Sequence, residues 1–183
     1  MPLTTAVLDA NVLVPVSLTD TLLRTAEHRR YVPRWSDRIL DEVVRNVARV
    51  HPQHGVAGAT RRVAFMKAAF PEAMVENWHE LEGEMINDPK DRHVLAAAVT
   101  GSADIIVTNN VVDFPASACD PYDISVVRAD GFLCEIWSED LDMAATMVEE
   151  QAADLRNHTV DSLLDVLAVH APAFVARLRA ELE

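Results

Sequence analysis

A chain of 183 residues, half of them hydrophobic and only 5 of them Gly, is long enough to close one domain around its own core, which excludes a disordered tail protein. No apolar stretch reaches the roughly 18 residues of a membrane span, no basic leader precedes the apolar start MPLTTAVLDANVLVPV, and two cysteines, Cys119 and Cys134, are too few for a disulfide framework; a reducing cytoplasm is the expected setting. The net charge of −13 argues against a nucleic-acid partner, yet it averages two unlike halves: ten basic and six acidic residues over 1–70, a balance of +4, against −17 over 71–183.

The apolar run at 6–8, followed by Asp9 and then by Val12, Leu13 and Val14, predicts a buried strand that ends at an acid. Leu18, Leu22, Leu23 and Ala26 recur at helical spacing behind Ser17 or Thr19 as N-cap. Pro33 breaks the chain, and Ser36 caps a second helix with Ile39, Leu40, Val43, Val44 and Val47 inward. Glu42 and Asn46 share one rim of that apolar stripe, so Glu42 can face a cleft. Residues 51–58 read as a loop and 60–70 as a basic amphipathic helix with Val63, Met66 and Phe70 inside, stopped by Pro71. The acidic stretch 72–86 carries no clear periodicity. Asp88 as cap and Pro89 in the first turn predict a helix that holds Asp91 near its start and runs to Gly101. Residues 104–108 form a continuous apolar run of the kind buried on both faces of a parallel sheet, with Asn109, Asn110 and Asp113 just beyond it. Residues 124–127 supply another strand. After Asp130 as cap the remainder reads as helices at 131–137, 139–156, 160–169 and 173–182.

Strands alternating with helices predict an α/β sandwich around a mostly parallel sheet, in which ligands bind at the carboxyl ends of strands. Asp9 ends the first strand, Asp113 follows the 105–108 strand, and Asp91 begins the helix that feeds it, so these acids can converge. A carboxylate at an apolar strand end costs several kcal/mol if it stays unpaired, which sets Asp9 apart. Taken singly, Asp88 and Asp91 are explained by the helix dipole, Glu42 by a solvated helix face and Asp113 by a turn before Phe114. Taken together they need a counter-ion, since two carboxylates about 4 Å apart repel by roughly 4 kcal/mol at an effective dielectric of 20. All-oxygen ligation selects Mg²⁺ or Mn²⁺ over zinc, and the seven histidines show no H-E-x-x-H spacing.

LDANVLV at 8–14, ILDEVVRNV at 39–47, NDPKDRHVLAAA at 87–98 and IIVTNNVVDFP at 105–115 together resemble the PIN-domain ribonucleases, especially the toxin half of VapBC toxin–antitoxin systems, in family order over about residues 3–130. The resemblance implies a three-layer α/β/α sandwich for residues 1–130, with 131–183 a C-terminal helical extension. It also implies a metal-dependent endoribonuclease that uses one or two Mg²⁺ or Mn²⁺ ions and leaves a 5′-phosphate and a 3′-hydroxyl. The partners it implies are an RNA substrate, a cognate antitoxin protein and a second copy in a homodimer, with no membrane. Carried over by position, Asp9 matches the first strand-end acid, Glu42 the acid of the second helix, Asp91 the third acid, and Asp113 the acid before Phe114. Asp9 and Asp91 are then the primary metal ligands, Glu42 and Asp113 complete the site or orient the attacking water, and Asp88, Asn11, Thr108 and Asn110 support it. Asn110 stands where some members carry another acid. The cations of the first 70 residues are expected to hold RNA phosphates. Two alternatives stay open: a non-catalytic RNA- or protein-binding module on the same fold, and phosphoryl transfer with Asp9 as nucleophile, which wants a second Asp where Asn11 stands. In the tail, Val160, Leu163, Leu164, Leu167, Phe174, Val175 and Leu178 repeat at helical spacing. Short helices with apolar stripes cannot stand alone in water, so these pack either on the nuclease core or on a partner.

Overall fold

In the computed structural model, which describes residues 3–53, 55–155 and 158–182, four short strands form one sheet: β1 (Thr5–Leu8), β2 (Val32–Arg34), β3 (Ile105–Val107) and β4 (Ser125–Val127). Their order is β2-β1-β3-β4 and every pairing is parallel. Ala6, Val7, Leu8, Ile106 and Val107 are wholly buried, as strands covered on both faces must be. The chain runs from β1 outward to β2 and then returns to the other side of β1 as β3. Right-handed crossovers in opposite directions put helices on opposite faces of the sheet and leave a crevice between the carboxyl ends of β1 and β3. Leu8 pairs with Val107, so Asp9 and Thr108 are the first residues beyond the sheet on adjacent strands.

α1 (Val16–Glu27) connects β1 to β2. Its N-cap is Pro15 rather than Ser17 or Thr19: Thr19 lies inside the helix and donates its hydroxyl to the Pro15 carbonyl at 2.8 Å. β2 is absent from the sequence reading because its three residues, centred on Pro33, carry no alternation; Pro33 is tolerated because the strand lies at the sheet edge. α2 (Asp37–Val50) starts where expected, with Ser36 Oγ accepting from Ile39 N at 3.3 Å, and α3 (Gly55–Ala69) packs beside it. α3 begins before Thr60, at Gly55, whose φ of +58° suits glycine; His54, in the expected 51–58 loop, lies outside the described residues. The stretch 72–86 holds a 3₁₀ turn at Pro71–Ala73, a single parallel bridge of Met74 to Trp35, and the one-turn helix α4 (His79–Glu82).

α5 (Arg92–Thr100) starts later than the Asp88-Pro89 signal suggests. Asp91 is its N-cap, while Asp88 closes the turn before it, accepting from Lys90 N at 3.0 Å through Oδ1 and from Asp91 N at 2.9 Å through its carbonyl. At the far end a Cβ on Gly101 would meet Val75 Cγ2 at 2.8 Å, so the helix stop also makes room for a neighbour. A short α6 (Ala116–Cys119) precedes β4.

The tail forms α7 (Ala129–Ile136), α8 (Leu141–Asp154), α9 (Val160–Ala168) and α10 (Pro172–Leu182); Arg156, at the end of the expected 139–156 helix, lies outside the described residues. Asp130 does not cap α7. Its carboxylate accepts from Ala173 N at 3.2 Å and Phe174 N at 2.9 Å and so caps α10, tying the two helices together. Leu163, Leu164, Leu167, Phe174, Val175 and Leu178 belong to the same apolar cluster as the sheet, which answers the choice left open for the tail: these side chains cover the protein's own core. Polar clasps seal the joint with α1. Gln151 takes the Thr21 hydroxyl at 2.9 Å and donates to the Ser17 carbonyl at 3.1 Å, Trp137 Nε1 donates to Thr25 Oγ1 at 3.1 Å, and Arg24 and Arg30 pair with Asp154 and Asp140. Among the described residues no helix is long and apolar enough to cross a membrane.

Candidate active site

Asp9 is 4 % exposed, and each of its oxygens is held. Oδ1 accepts from Ala10 N at 2.6 Å, which caps the 3₁₀ turn Ala10–Val12, and Oδ2 accepts from Asn11 Nδ2 at 2.6 Å and from the Thr108 hydroxyl at 2.7 Å. Burial raises its proton affinity and the nearby Glu42 adds to this, against the Thr108 and Ala10 hydrogen bonds and the His93 ring, which favour the anion; burial prevails and the pKa stands above the ordinary value. Asn11 and Thr108 therefore serve Asp9 directly. Asn11 also donates to Thr108 Oγ1 at 2.9 Å and accepts from Asn109 N at 2.9 Å, which ties the loop after β1 to the loop after β3. Asn110 contributes through its backbone: its N–H donates to Thr108 Oγ1 at 3.0 Å while its side chain is exposed.

Asp91, the N-cap of α5, lies within electrostatic reach of Asp9. Burial, then the charges of Asp9 and Asp113, a hydrogen bond with the Asp113 carboxyl and the charge of Asp88 push its carboxyl up to about 6. Asp113 closes the 3₁₀ turn Val111–Asp113 after β3, and its carbonyl accepts from Asp88 N at 3.1 Å, so the turns before α5 and after β3 are pinned to each other. Three separate chain segments thus bring Asp9, Asp91, Asp113 and Asp88 into one field. Glu42, on α2, lies within electrostatic reach of Asp9. Burial pushes its carboxyl up, yet the His93 ring at 3.2 Å, Arg45 at 3.6 Å and the charge of Arg38 outweigh that and hold it below the usual carboxylate range.

The donor set is all oxygen and anionic, which suits Mg²⁺ or Mn²⁺, and the repulsion that keeps a proton on Asp91 is what a divalent cation relieves. Among the described residues no group of three or more His, Cys, Asp or Glu side chains is arranged as it stands to hold a metal ion. Both Asp9 oxygens accept from protein donors, and Glu42 lies against His93 and Arg45.

Sequence reasoning missed two residues here. His93, wholly buried, and Asn87, 3 % exposed with neither side-chain polar atom partnered among the described residues, flank the Asp88 and Asp91 turn. The signal for His93 was a polar residue inside the apolar stretch RHVLAAA; nothing comparable marked Asn87. The basic first half also resolves into unlike parts. Arg62 donates to the Leu13 and Val14 carbonyls at 2.8 and 3.0 Å and to Thr19 Oγ1, and Arg24, Arg30, Arg34 and Arg38 have partners inside the protein. Arg45 and Arg49 remain exposed on the α2 face that carries Glu42, and Lys90, also exposed, has its Nζ 3.7 Å from Asp88.

Residues 5–112 match the family model described as PIN domain, and residues 129–180 match the one described as VapC50 C-terminal domain. A protein of Mycobacterium tuberculosis (strain ATCC 25618 / H37Rv) named "Putative ribonuclease VapC50" is 38% identical over 109 residues, which are 58% of this chain and 64% of that protein. The aligned stretch therefore spans less than two thirds of the relative's length. No solved structure matches.

Proposed function

The chain belongs to the PIN-domain family, and we propose from that membership and from its own acidic crevice that it is a Mg²⁺- or Mn²⁺-dependent endoribonuclease, the toxin of a VapBC-type pair. The observation that carries the reading is the meeting at Asp91 of carboxylates from three chain segments at the carboxyl ends of parallel strands, which holds a proton there to about pH 6. In this reading residues 1–130 carry the chemistry and 131–183 brace it, the substrate is RNA, and a cognate antitoxin and a second copy of the chain are its protein partners.

Asp9, Asp91, Glu42 and Asp113 would hold one or two ions. A bound ion supplies positive charge where the scissile phosphate gains negative charge. The protein's own share is positioning. Thr108 and Asn11 fix the Asp9 carboxylate by two hydrogen bonds to Oδ2, so its direction is set before substrate arrives. The Asp88 turn fixes where Asp91 enters α5, and Glu42, held anionic by the His93 ring and Arg45 against its burial, is suited to hold a cation or orient an attacking water. Arg45, Arg49 and Lys90 lie at the rim as phosphate contacts that balance the acids. The test is a labelled RNA incubated with Mn²⁺, with and without EDTA, and with the Asp91→Asn protein. Cleavage confined to the Mn²⁺ reaction of the unaltered protein supports the reading. Equal cleavage in EDTA or by Asp91→Asn would overturn it, and RNA binding without cleavage would favour the binding-module alternative.

A further inference from the structure

His93 follows Asp91 by two residues and lies wholly inside the protein, yet none of the chemistry above gives it a task. Its Nε2 stands 3.2 Å from Oε1 of Glu42 without meeting hydrogen-bond geometry there, so neither ring nitrogen has a hydrogen-bond partner among the described residues. An imidazole is costly to bury with both nitrogens unmet, so one good hydrogen bond has to compensate. The ring meets Trp78 edge-on with centroids 6.1 Å apart, and Trp78 donates its indole N–H to Oδ1 of Asp37 at 2.9 Å. Asp37 is the first residue of α2 and Glu42 lies five residues on. One buried ring pair therefore grips α2 at its start and at its acid.

Two forces act to swing Glu42 away from the crevice. Asp9 repels it, and Arg45 on the solvent side, 69 % exposed, attracts it at 3.6 Å. Glu has three rotatable side-chain bonds, so nothing in its own stem resists. A donor placed on the inner side opposes both forces. We propose that His93 is a positioning residue, its buried Nε2–H donating to Oε1 of Glu42 and keeping that carboxylate on the Asp9 side of α2. The importance of that placement rests on the nuclease reading given above, while the contact itself does not.

The test uses two variants with the same buried amide and different reach. In His93→Gln the side-chain nitrogen lies near the place of Nε2, and in His93→Asn it falls short of Glu42. Melting temperatures establish that each is folded. Mn²⁺ affinity, measured by calorimetry without RNA, is the first readout, and kcat and KM on a labelled RNA are the second. His93→Gln is expected within about threefold of the unaltered protein in both. His93→Asn is expected to lose tenfold or more in Mn²⁺ affinity and in kcat, with KM within about twofold, the range found when an outer hydrogen-bond partner of a metal ligand is removed. Equal behaviour of the two variants, whether both intact or both impaired, or failure of both to fold, overturns the proposal, because reach to Glu42 would then not matter. Should the unaltered protein bind Mn²⁺ but cleave no RNA, the nuclease reading fails while the affinity comparison still decides the role of His93. If it binds no Mn²⁺, both fall.

Discussion

Asp91 keeps its proton to about pH 6 because burial and the charges of Asp9, Asp113 and Asp88 all disfavour its anion, and this makes the stability of the protein depend on pH in a definite direction. A carboxyl whose folded pKa is raised binds more protons folded than unfolded between about pH 4 and 6, so the metal-free protein loses stability as the pH climbs through that window and does not regain it above. Asp91 is partly exposed, and after discounting for solvent about 1 kcal/mol remains, which is roughly 2–4 °C in Tm for a chain of this size. Asp91→Asn is therefore expected to melt higher than the unaltered protein in EDTA at pH 7 and level with it at pH 4. Added Mn²⁺ should raise the unaltered protein and leave Asp91→Asn where it is. Equal melts at pH 7 in EDTA would show that the carboxylates do not strain one another. Thr108 supports a second expectation. Thr108→Ala removes the hydroxyl that donates to Asp9 at 2.7 Å and is expected to lower RNA cleavage about 10- to 100-fold, whereas Thr108→Ser, which keeps the donor, should stay near full activity; equal rates for the two would detach Thr108 from the site.

At the scale of elements, cations that look alike in the sequence separate by what they hold. Arg62 is inside, clasping the carbonyls of Leu13 and Val14 just after the turn that Asp9 caps, so Arg62→Ala leaves acceptors unmet and is expected to cost about 1–3 kcal/mol, or several degrees in Tm. Arg45→Ala and Arg49→Ala should leave the melt unchanged and flatten the dependence of RNA affinity on salt, by about 0.7 in the log–log slope for each phosphate of a single strand that is no longer neutralised. A salt slope altered by Arg62 and not by Arg45 or Arg49 would place the RNA elsewhere. The charge split read from the sequence was real as composition and misleading as a surface, because a sequence does not show which guanidinium has a carbonyl to bind. The same holds for caps. Ser36 was legible because its acceptor role is local, three residues from Ile39 N, whereas Asp130 serves α10 from 43 and 44 residues away and reads like any acid before a helix. β2 escaped because pairing with β1, and nothing in its own pattern, makes Val32–Arg34 a strand. Asp9, Asp91 and Asp113 were legible because acids after or before apolar runs stand out; Asn87 and His93 were not, since their meaning lies in partners that the chain brings to them, or withholds, only on folding.

For the whole molecule the question is whether the tail is an attachment or part of one core. Residues 131–183 carry much of the chain's negative charge, and a charged, helical segment beside an acidic crevice would ordinarily be taken for a detachable arm. Its contacts argue otherwise. Leu163, Leu164, Leu167, Phe174, Val175 and Leu178 are each 2 % exposed or less and share a cluster with β1 and β3, and burying six such side chains contributes on the order of 10 kcal/mol, which rivals the net stability of an ordinary domain. The polar joints run the same way: Gln151 reaches the backbone of α1, Trp137 reaches Thr25, and the Arg30 guanidinium lies 4.5 Å above the Trp137 ring while pairing with Asp140. α1 follows directly on the Asp9 turn, so removing the helices that cover it would loosen the strand end on which the first acid sits. A chain ending at residue 157 is accordingly expected to be insoluble or to lack a cooperative melt. Leu167→Ala, which opens a cavity without deleting an element, should lower stability by about 2–5 kcal/mol and remain folded with the crevice intact. If the truncated chain instead melts cooperatively within a few degrees of the full one and still binds Mn²⁺, the tail is an attachment and the shared core does not govern the fold; if Leu167→Ala melts unchanged while the truncation fails, the joint with α1 rather than the apolar cluster carries the tail's contribution.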